Sequence, residues 1–235
     1  MLACKNKIMQ KIRDRLANDD PAVEYVEMDE TRSITVRPGD KEKVIFTDSL
    51  GGCTAVAAIL EQQNGTRTVI LSHDQSMSTK RQFQAIDTLA ASLLNPGKPT
   101  SLSGKSNALI MTLEDFDMDM KTYRPMLRKG PRVSSDPFGE AFLAESFKTR
   151  FGIEEVKRLV YPYETDSLDD NDMLVIFVPP VGKPVSYYTW FANGTLEAAP
   201  EMASPRPAAD LGKPALDMAS NDNQRVPLKN VSGEQ

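Results

Sequence analysis

The stretch from Lys43 to His73 reads K-V-I-F-T-D-S-L-G-G-C-T-A-V-A-A-I-L-E-Q-Q-N-G-T-R-T-V-I-L-S-H and gathers the side chains best suited to chemistry. It holds Cys53, one of two cysteines, and His73, the single histidine. A thiol nucleophile needs a base to take its proton and backbone N–H groups to hold a developing oxyanion. Cys53 has the nucleophile's chemistry and His73 the base's. Gly51 and Gly52 stand directly before the cysteine. Without a Cβ, the chain there can turn sharply and bring its N–H groups close to a substrate. Thr47, six residues before the cysteine, is the candidate third group. Each of these has a plainer reading. Free cysteine is commonly a small core side chain, a diglycine is an ordinary turn, and a β-branched residue such as Thr47 suits a strand end. Asp48 and Asp74 are candidates to orient His73, with solvated surface acids as the alternative. Cys4 reads as a bystander.

The elements that must position these residues can be traced outward. Arg32 to Val36 alternates and predicts a strand, Pro38-Gly39-Asp40 a turn, and Val44-Ile45-Phe46 a short buried strand. Asn64-Gly65 is a strong hairpin signal, because both residues tolerate positive φ. It predicts paired strands over 54–62 and 67–73. The Ala-rich first limb could instead be a short helix beginning at Cys53, whose dipole would favour the thiolate. A two-residue turn at 64–65 would set His73 opposite Val56, which has the wrong parity to share a face with Cys53. A bulge, or a cysteine lying in the bend before the strand, would remove the conflict.

Beyond this stretch, residues 5–17 read as a helix with Ile8, Ile12 and Leu16 recurring, either packed on the domain or a frayed leader. Residues 78–94 read as a helix with Ser78 as N-cap and Phe83, Ile86, Ala90 and Leu93 as its apolar face. Ala108 to Leu113 is a strand. Glu114 to Asp119 is acidic but lacks the glycine and spacing of a calcium loop. Arg124, Arg128, Lys129 and Arg132 form a basic loop that is either solvated or a partner contact. Residues 138–151 are a second helix, with Leu143, Phe147 and Phe151 in register, Phe138 and Phe142 beside them, and Gly152 as C-cap. Val156 to Tyr161 is a strand and Asp166 to Asp172 an acidic turn. Met173 to Val178 and Val185 to Phe191 form a closing hairpin that ends at Asn193-Gly194. The aromatic group Tyr187, Tyr188, Trp190 and Phe191 reads mostly as core.

Composition narrows the function. The chain has 235 residues, 40% of them hydrophobic and 26% charged, as in an ordinary globular protein with one sizeable core or two small ones. A net charge of −5 argues against a general nucleic-acid binder. No apolar run is long enough for a membrane span, and the N-terminus lacks a signal peptide's apolar segment. Two distant cysteines suggest free thiols in a reducing, cytoplasmic compartment. With a single histidine they cannot build a Cys-rich zinc site. The proline-scattered segment after 196 cannot bury enough apolar surface to order itself. The expected organisation is an N-terminal helix or leader over 1–22, a domain over 23–196 and a disordered tail over 197–235. The expected fold class is α+β, a mixed or antiparallel sheet core flanked by two main helices.

The order of these features resembles the CheD family of chemoreceptor glutamine deamidases. The resemblance is carried by Thr47, Leu50-Gly51-Gly52-Cys53, Ala55-Val56 and His73 on the following strand. Val36-Arg37-Pro38-Gly39-Asp40 also looks like the family's turn before its catalytic strand. It is strong over 36–73 and extends by element order over roughly 30–195. Gly52 stands where the family has serine, and the Cys–His spacing is longer. The segment 114–137 has no counterpart. The resemblance implies a CheD-like fold and a protein-glutamine deamidase, with Cys53 as nucleophile and His73 as base. Thr47 would orient the imidazole or bind the substrate amide, backbone N–H groups near Gly51, Gly52 and Cys53 would hold the oxyanion, and no metal or organic cofactor would be needed. The implied partner is a protein with an accessible glutamine, with a regulatory protein as a further expectation. Two other readings stand beside this one. One is a non-catalytic member of the fold that binds a protein, for which an inert, buried Cys53 would speak. The other is transglutamination, with an amine in place of water.

Overall fold

The computed structural model describes residues 2–75, 79–94, 102–103, 105–119, 121, 124–127, 131, 133–161, 173–189 and 193–196. The fold is α+β. In chain order the elements are α1 (Leu2–Ala17), β1 (Val23–Tyr25), β2 (Glu30–Val36), β3 (Lys43–Thr47), β4 (Thr54–Glu61), β5 (Arg67–Asp74) and α2 (Thr79–Leu93). Then follow β6 (Asn107–Leu113), β7 (Phe116–Asp119), β8 (Arg124–Leu127), α3 (Pro137–Phe151), β9 (Val156–Tyr161), β10 (Leu174–Val178), β11 (Val185–Thr189) and β12 (Asn193–Leu196). Beside the two-stranded pair β7–β8, the mixed sheet core that the sequence predicts is built of two five-stranded sheets of order β1-β3-β10-β11-β12 and β2-β5-β4-β6-β9. Each is mixed: β1 runs parallel to β3 and β6 parallel to β9, while the other pairs are antiparallel.

Side-chain alternation dictates how these sheets stack. A strand sends successive residues to opposite faces. In β3, Ile45 joins a core shared with the other sheet, while Val44 and Phe46 face outward to Ile12 of α1. In β4, Ala55, Ala57 and Ile59 face the first sheet, and Val56, Ala58 and Leu60 pack with Ile86 of α2 and Phe147 of α3. The layers are therefore α1, sheet, sheet, then α2 with α3. All eight residues of β4 and of β5 are buried, because both strands lie inside the second sheet with covered faces. That burial overrides the modest strand propensity of alanine and excludes the helix alternative for 54–61.

Other differences from the sequence reading are local. Ile12 is buried against the first sheet, so α1 is a packed element and not a frayed leader. Asn193-Gly194 does not end the hairpin: Gly194 pairs with Tyr187, and the segment forms edge strand β12. The acidic and basic segments after 114 contain the antiparallel pair β7–β8, with Pro125 opposite Met118. Leu93 is half-exposed on α2, where buried Gln82 shares the inward face with Ile86 and Ala90. Phe138 is 88% exposed, being at the start of α3, while Leu143, Phe147 and Phe151 are buried. Gly152 caps α3 in the left-handed conformation, φ +68°. Ser78, Arg128, Lys129, Arg132, the acidic turn at 166–172, Trp190, Phe191 and the 197–235 tail lie outside the described residues. No helix among the described residues is long and apolar enough to cross a membrane.

Candidate functional site

The hairpin between β4 and β5 decides whether Cys53 and His73 can share a face. Its loop has three residues, Gln63-Asn64-Gly65, not two. Gln62 N–H donates to Thr66 O and Gly65 N–H to Gln62 O, both at 2.9 Å. Gly65 takes the left-handed position at φ +79°, and the Asn64 side chain accepts from Thr66 N–H at 2.9 Å. This is the three-residue hairpin with glycine at the bulge. The extra loop residue shifts the register by one, so His73 pairs with Ala55. A shift of one flips every side chain to the other face. The parity conflict disappears: Cys53, Ala55 and Ala57 share the inter-sheet core with Val69 and Leu71, and His73 follows their parity. One row across the sheet runs His73, Ala55, Met111, Leu159. Continuing the register gives the next row as Cys53, Leu113, Tyr161.

Thr47 comes from the opposite sheet. It ends β3, two residues after Ile45, and so points into the same inter-sheet layer. Its Oγ1 lies 2.7 Å from His73 Nδ1. Both residues are buried, at 0% and 2% exposure. His73 Nε2 is buried and has no hydrogen-bond partner. The thiol–imidazole bond is therefore not formed in this state, although Cys53 sits on the same face one row away. When Nδ1–H donates to Thr47, Nε2 presents its lone pair, as a base requires.

Burial dominates the electrostatics. It pushes the Cys53 thiol pKa up, with the charges of Asp29 and Asp74 adding to the effect. Burial pushes the His73 pKa down, opposed by Asp48, Asp29 and Asp74. The resting pair is thus neutral thiol and neutral imidazole. Asp48 accepts a 2.8 Å hydrogen bond from the Tyr25 hydroxyl, and Asp74 is buried beside Arg81. The group bonded to the imidazole Nδ1 is Thr47, and these acids act through their charge.

The turn ahead of the cysteine is strained. Ser49, Gly51 and Gly52 all have positive φ, at +56°, +33° and +111°. Leu50 anchors the turn in the core with no exposed surface. A Cβ on Gly52 would meet nothing within 4 Å, so backbone conformation and not space demands glycine there. The sequence reading makes Gly52 and Cys53 N–H free oxyanion donors, and in this state neither is free. Cys53 N–H donates to Leu50 O, closing the turn. Gly52 N–H donates to the Tyr161 hydroxyl at 3.0 Å, and that hydroxyl donates to Cys53 O at 2.7 Å. Gln82 holds the start of β4 from the helical side, donating from Nε2 to Thr54 O at 2.8 Å. Tyr161 is the residue that sequence reasoning missed. It lies 108 positions from Cys53, and only the paired registers of β4, β6 and β9 bring the two together.

No family model matches the chain, and no curated protein matches it. Among solved structures, the C-terminal domain of CNFy from Yersinia pseudotuberculosis aligns over 74% of this chain at 8% identity, with a TM-score of 0.29. The chain spans 58% of that chain's length, and a likeness of this strength assigns neither fold nor activity.

Proposed function

We propose that the chain is a cysteine-dependent amidohydrolase that converts glutamine side chains on a protein substrate to glutamate, as in the CheD-like deamidases it resembles. One observation carries the reading: Thr47 fixes Nδ1 of His73 at 2.7 Å and leaves Nε2 unpartnered on the face that carries Cys53. A buried imidazole with one nitrogen held and the other open is built to exchange a proton. His73 Nε2 takes the Cys53 proton as the sulfur attacks the glutamine amide carbon. The C=O π electrons move to oxygen, and backbone N–H groups of the cysteine turn hold the resulting oxyanion. The intermediate collapses, the C–N bond breaks, and His73 returns the proton so that ammonia leaves. Water then adds to the thioester with His73 as base, releasing glutamate and restoring the thiol. An amine in place of water would give transglutamination by the same thiol.

A second reading has its own support. Cys53 is 5% exposed, its thiol is held protonated by burial, and its bond to His73 is absent. Those features suit a non-catalytic module that binds a protein.

One experiment separates the two. Glutamine-containing peptides are incubated with the full chain, with Cys53→Ala and with His73→Ala, and glutamine-to-glutamate conversion is read by mass spectrometry. Iodoacetamide labelling of Cys53 is followed against pH in parallel. The enzyme reading expects conversion that both substitutions abolish, and Cys53 labelling that His73→Ala slows near neutral pH. No conversion, together with labelling indifferent to His73, would leave the binding module.

A further inference from the structure

The Tyr161 hydroxyl does two things with one oxygen. It accepts from Gly52 N–H at 3.0 Å and donates to Cys53 C=O at 2.7 Å, stapling consecutive residues of the turn that carries the thiol. The ring has no exposed surface. We propose that Tyr161 is the latch of this site, a positioning residue that holds the cysteine turn closed and occupies the Gly52 N–H that the open turn would present. The inference rests on the deamidase reading only for the use made of the freed Gly52 N–H, which becomes an oxyanion donor.

Three observations support a latch over a passive core tyrosine. The turn it holds is the strained one, with positive φ at Ser49, Gly51 and Gly52, and the two glycines give it other conformations to reach. The strand behind the turn is fixed independently, by β5 and β6 on its two edges and by Gln82 on Thr54 O. Opening can therefore be confined to the turn. Tyr161 itself is the last residue of β9, the edge strand of its sheet among the described residues, so the hydroxyl can withdraw without parting two interior strands. Withdrawal exposes the Cys53 sulfur and frees Gly52 N–H in the same movement.

The test uses Tyr161→Phe in the full chain, which keeps the ring and removes the oxygen. Labelling of Cys53 by iodoacetamide is measured at alkaline pH. There the thiolate forms without help from His73, so the rate reads exposure of the sulfur together with the easier ionisation that exposure brings. Cys4 serves as an internal reference. The latch predicts labelling faster by on the order of thirtyfold, the factor expected from two hydrogen bonds of about 1 kcal/mol each. Phe147→Leu, in the core between the sheet and α2–α3, is the control for general loosening. It should lower the melting temperature and leave Cys53 labelling at the wild-type rate. An unchanged rate in Tyr161→Phe, or an equal rise in Phe147→Leu, would overturn the proposal. Amide exchange of Gly52 in the unaltered protein gives a result even if the variant fails to fold. The latch expects exchange through local opening, and exchange only through global unfolding would overturn it. None of these measurements needs a substrate, so failure of the latch and failure of the deamidase reading remain distinguishable.

Discussion

A buried imidazole needs a partner for each ring nitrogen, and His73 has one. Thr47 supplies it from the other sheet, so the bond both orients the ring and ties the layers together. Thr47→Val keeps the shape and removes the hydroxyl. Nδ1 is then left unbonded where water is excluded, and stability should fall by roughly 1–3 kcal/mol in urea unfolding, with Thr47→Ser recovering most of it. A valine variant as stable as the wild type would mean the bond contributes nothing. The titration of His73 gives a second prediction with a definite sign. Burial lowers its pKa in the folded state against the opposing charges of Asp48, Asp29 and Asp74. The unfolded ring takes up a proton near its ordinary value of about 6.5, and the folded ring only at lower pH. Below about 6.5 the unfolded chain therefore binds a proton that the folded chain does not, and stability falls as pH falls until the folded value is passed. His73 is the only histidine, so His73→Gln removes this segment of slope cleanly. Urea unfolding between about pH 7 and pH 5 should show a steeper loss for the wild type than for the variant. Parallel slopes would contradict the burial argument.

At the scale of the element, a single loop residue decides whether Cys53 and His73 share a face. Gly65 holds φ +79°, and a Cβ there would lie 3.3 Å from Pro38 Cγ. Gly65→Ala should therefore cost about 1–2 kcal/mol from backbone strain alone, more if Pro38 cannot yield, read as a shift in the urea midpoint. The same loop shows where sequence reasoning stops. Asn64-Gly65 announces a turn because both residues favour positive φ, and β4 and β5 lie where their runs of Val, Ile, Leu and Ala put them. The loop's length is another matter. Asn64 accepts from Thr66 N–H through its side chain, a contact only two residues long, and the Asn-Gly pair alone does not say which loop length it closes. Local patterns likewise mark α2, α3 and the Gly152 cap, which depend on residues a few positions apart. The division into two sheets is set by side chains from distant strands that share one core, Ile45 and Ala57 among them, and no local period records it. Cys53, His73 and Thr47 are legible as residue types. Tyr161 is not, because a tyrosine at the end of an apolar strand reads as core until the registers of three strands are known.

Across the whole molecule, the two sheets are joined at both ends by polar contacts through an apolar middle. Thr47–His73 is the join at the cysteine end. At the other end, where β4 runs into its hairpin, Arg67 donates from Nε to Glu61 Oε2 at 2.8 Å. Its Nη1 donates to Pro179 O at 3.0 Å and to Lys183 O at 2.7 Å, both in the loop that connects β10 to β11 of the opposite sheet. Arg67 thus does with one guanidinium what the hydrogen-bonding edge of a strand cannot do between stacked sheets. Its side chain and that of Glu61 are only 8% and 7% exposed, so water replaces little of what is lost if either is removed. The asymmetry of buried ion pairs then fixes the outcome. Arg67→Met leaves the Glu61 carboxylate buried without its partner and strips the Pro179, Pro180 and Lys183 carbonyls of their donor. It should cost on the order of 3–5 kcal/mol. Adding Glu61→Leu removes the stranded charge and should return a large part of that loss, although the link to the opposite sheet stays broken. Urea unfolding of the two single variants and the double gives the coupling directly. If the double variant is less stable than either single one, the guanidinium acts mainly on the β10–β11 loop and not on Glu61. Cys53 labelling in the same variants then shows whether the far join communicates with the thiol end. The separate anchoring of the cysteine turn by Leu50, Gln82 and Tyr161 predicts that it does not.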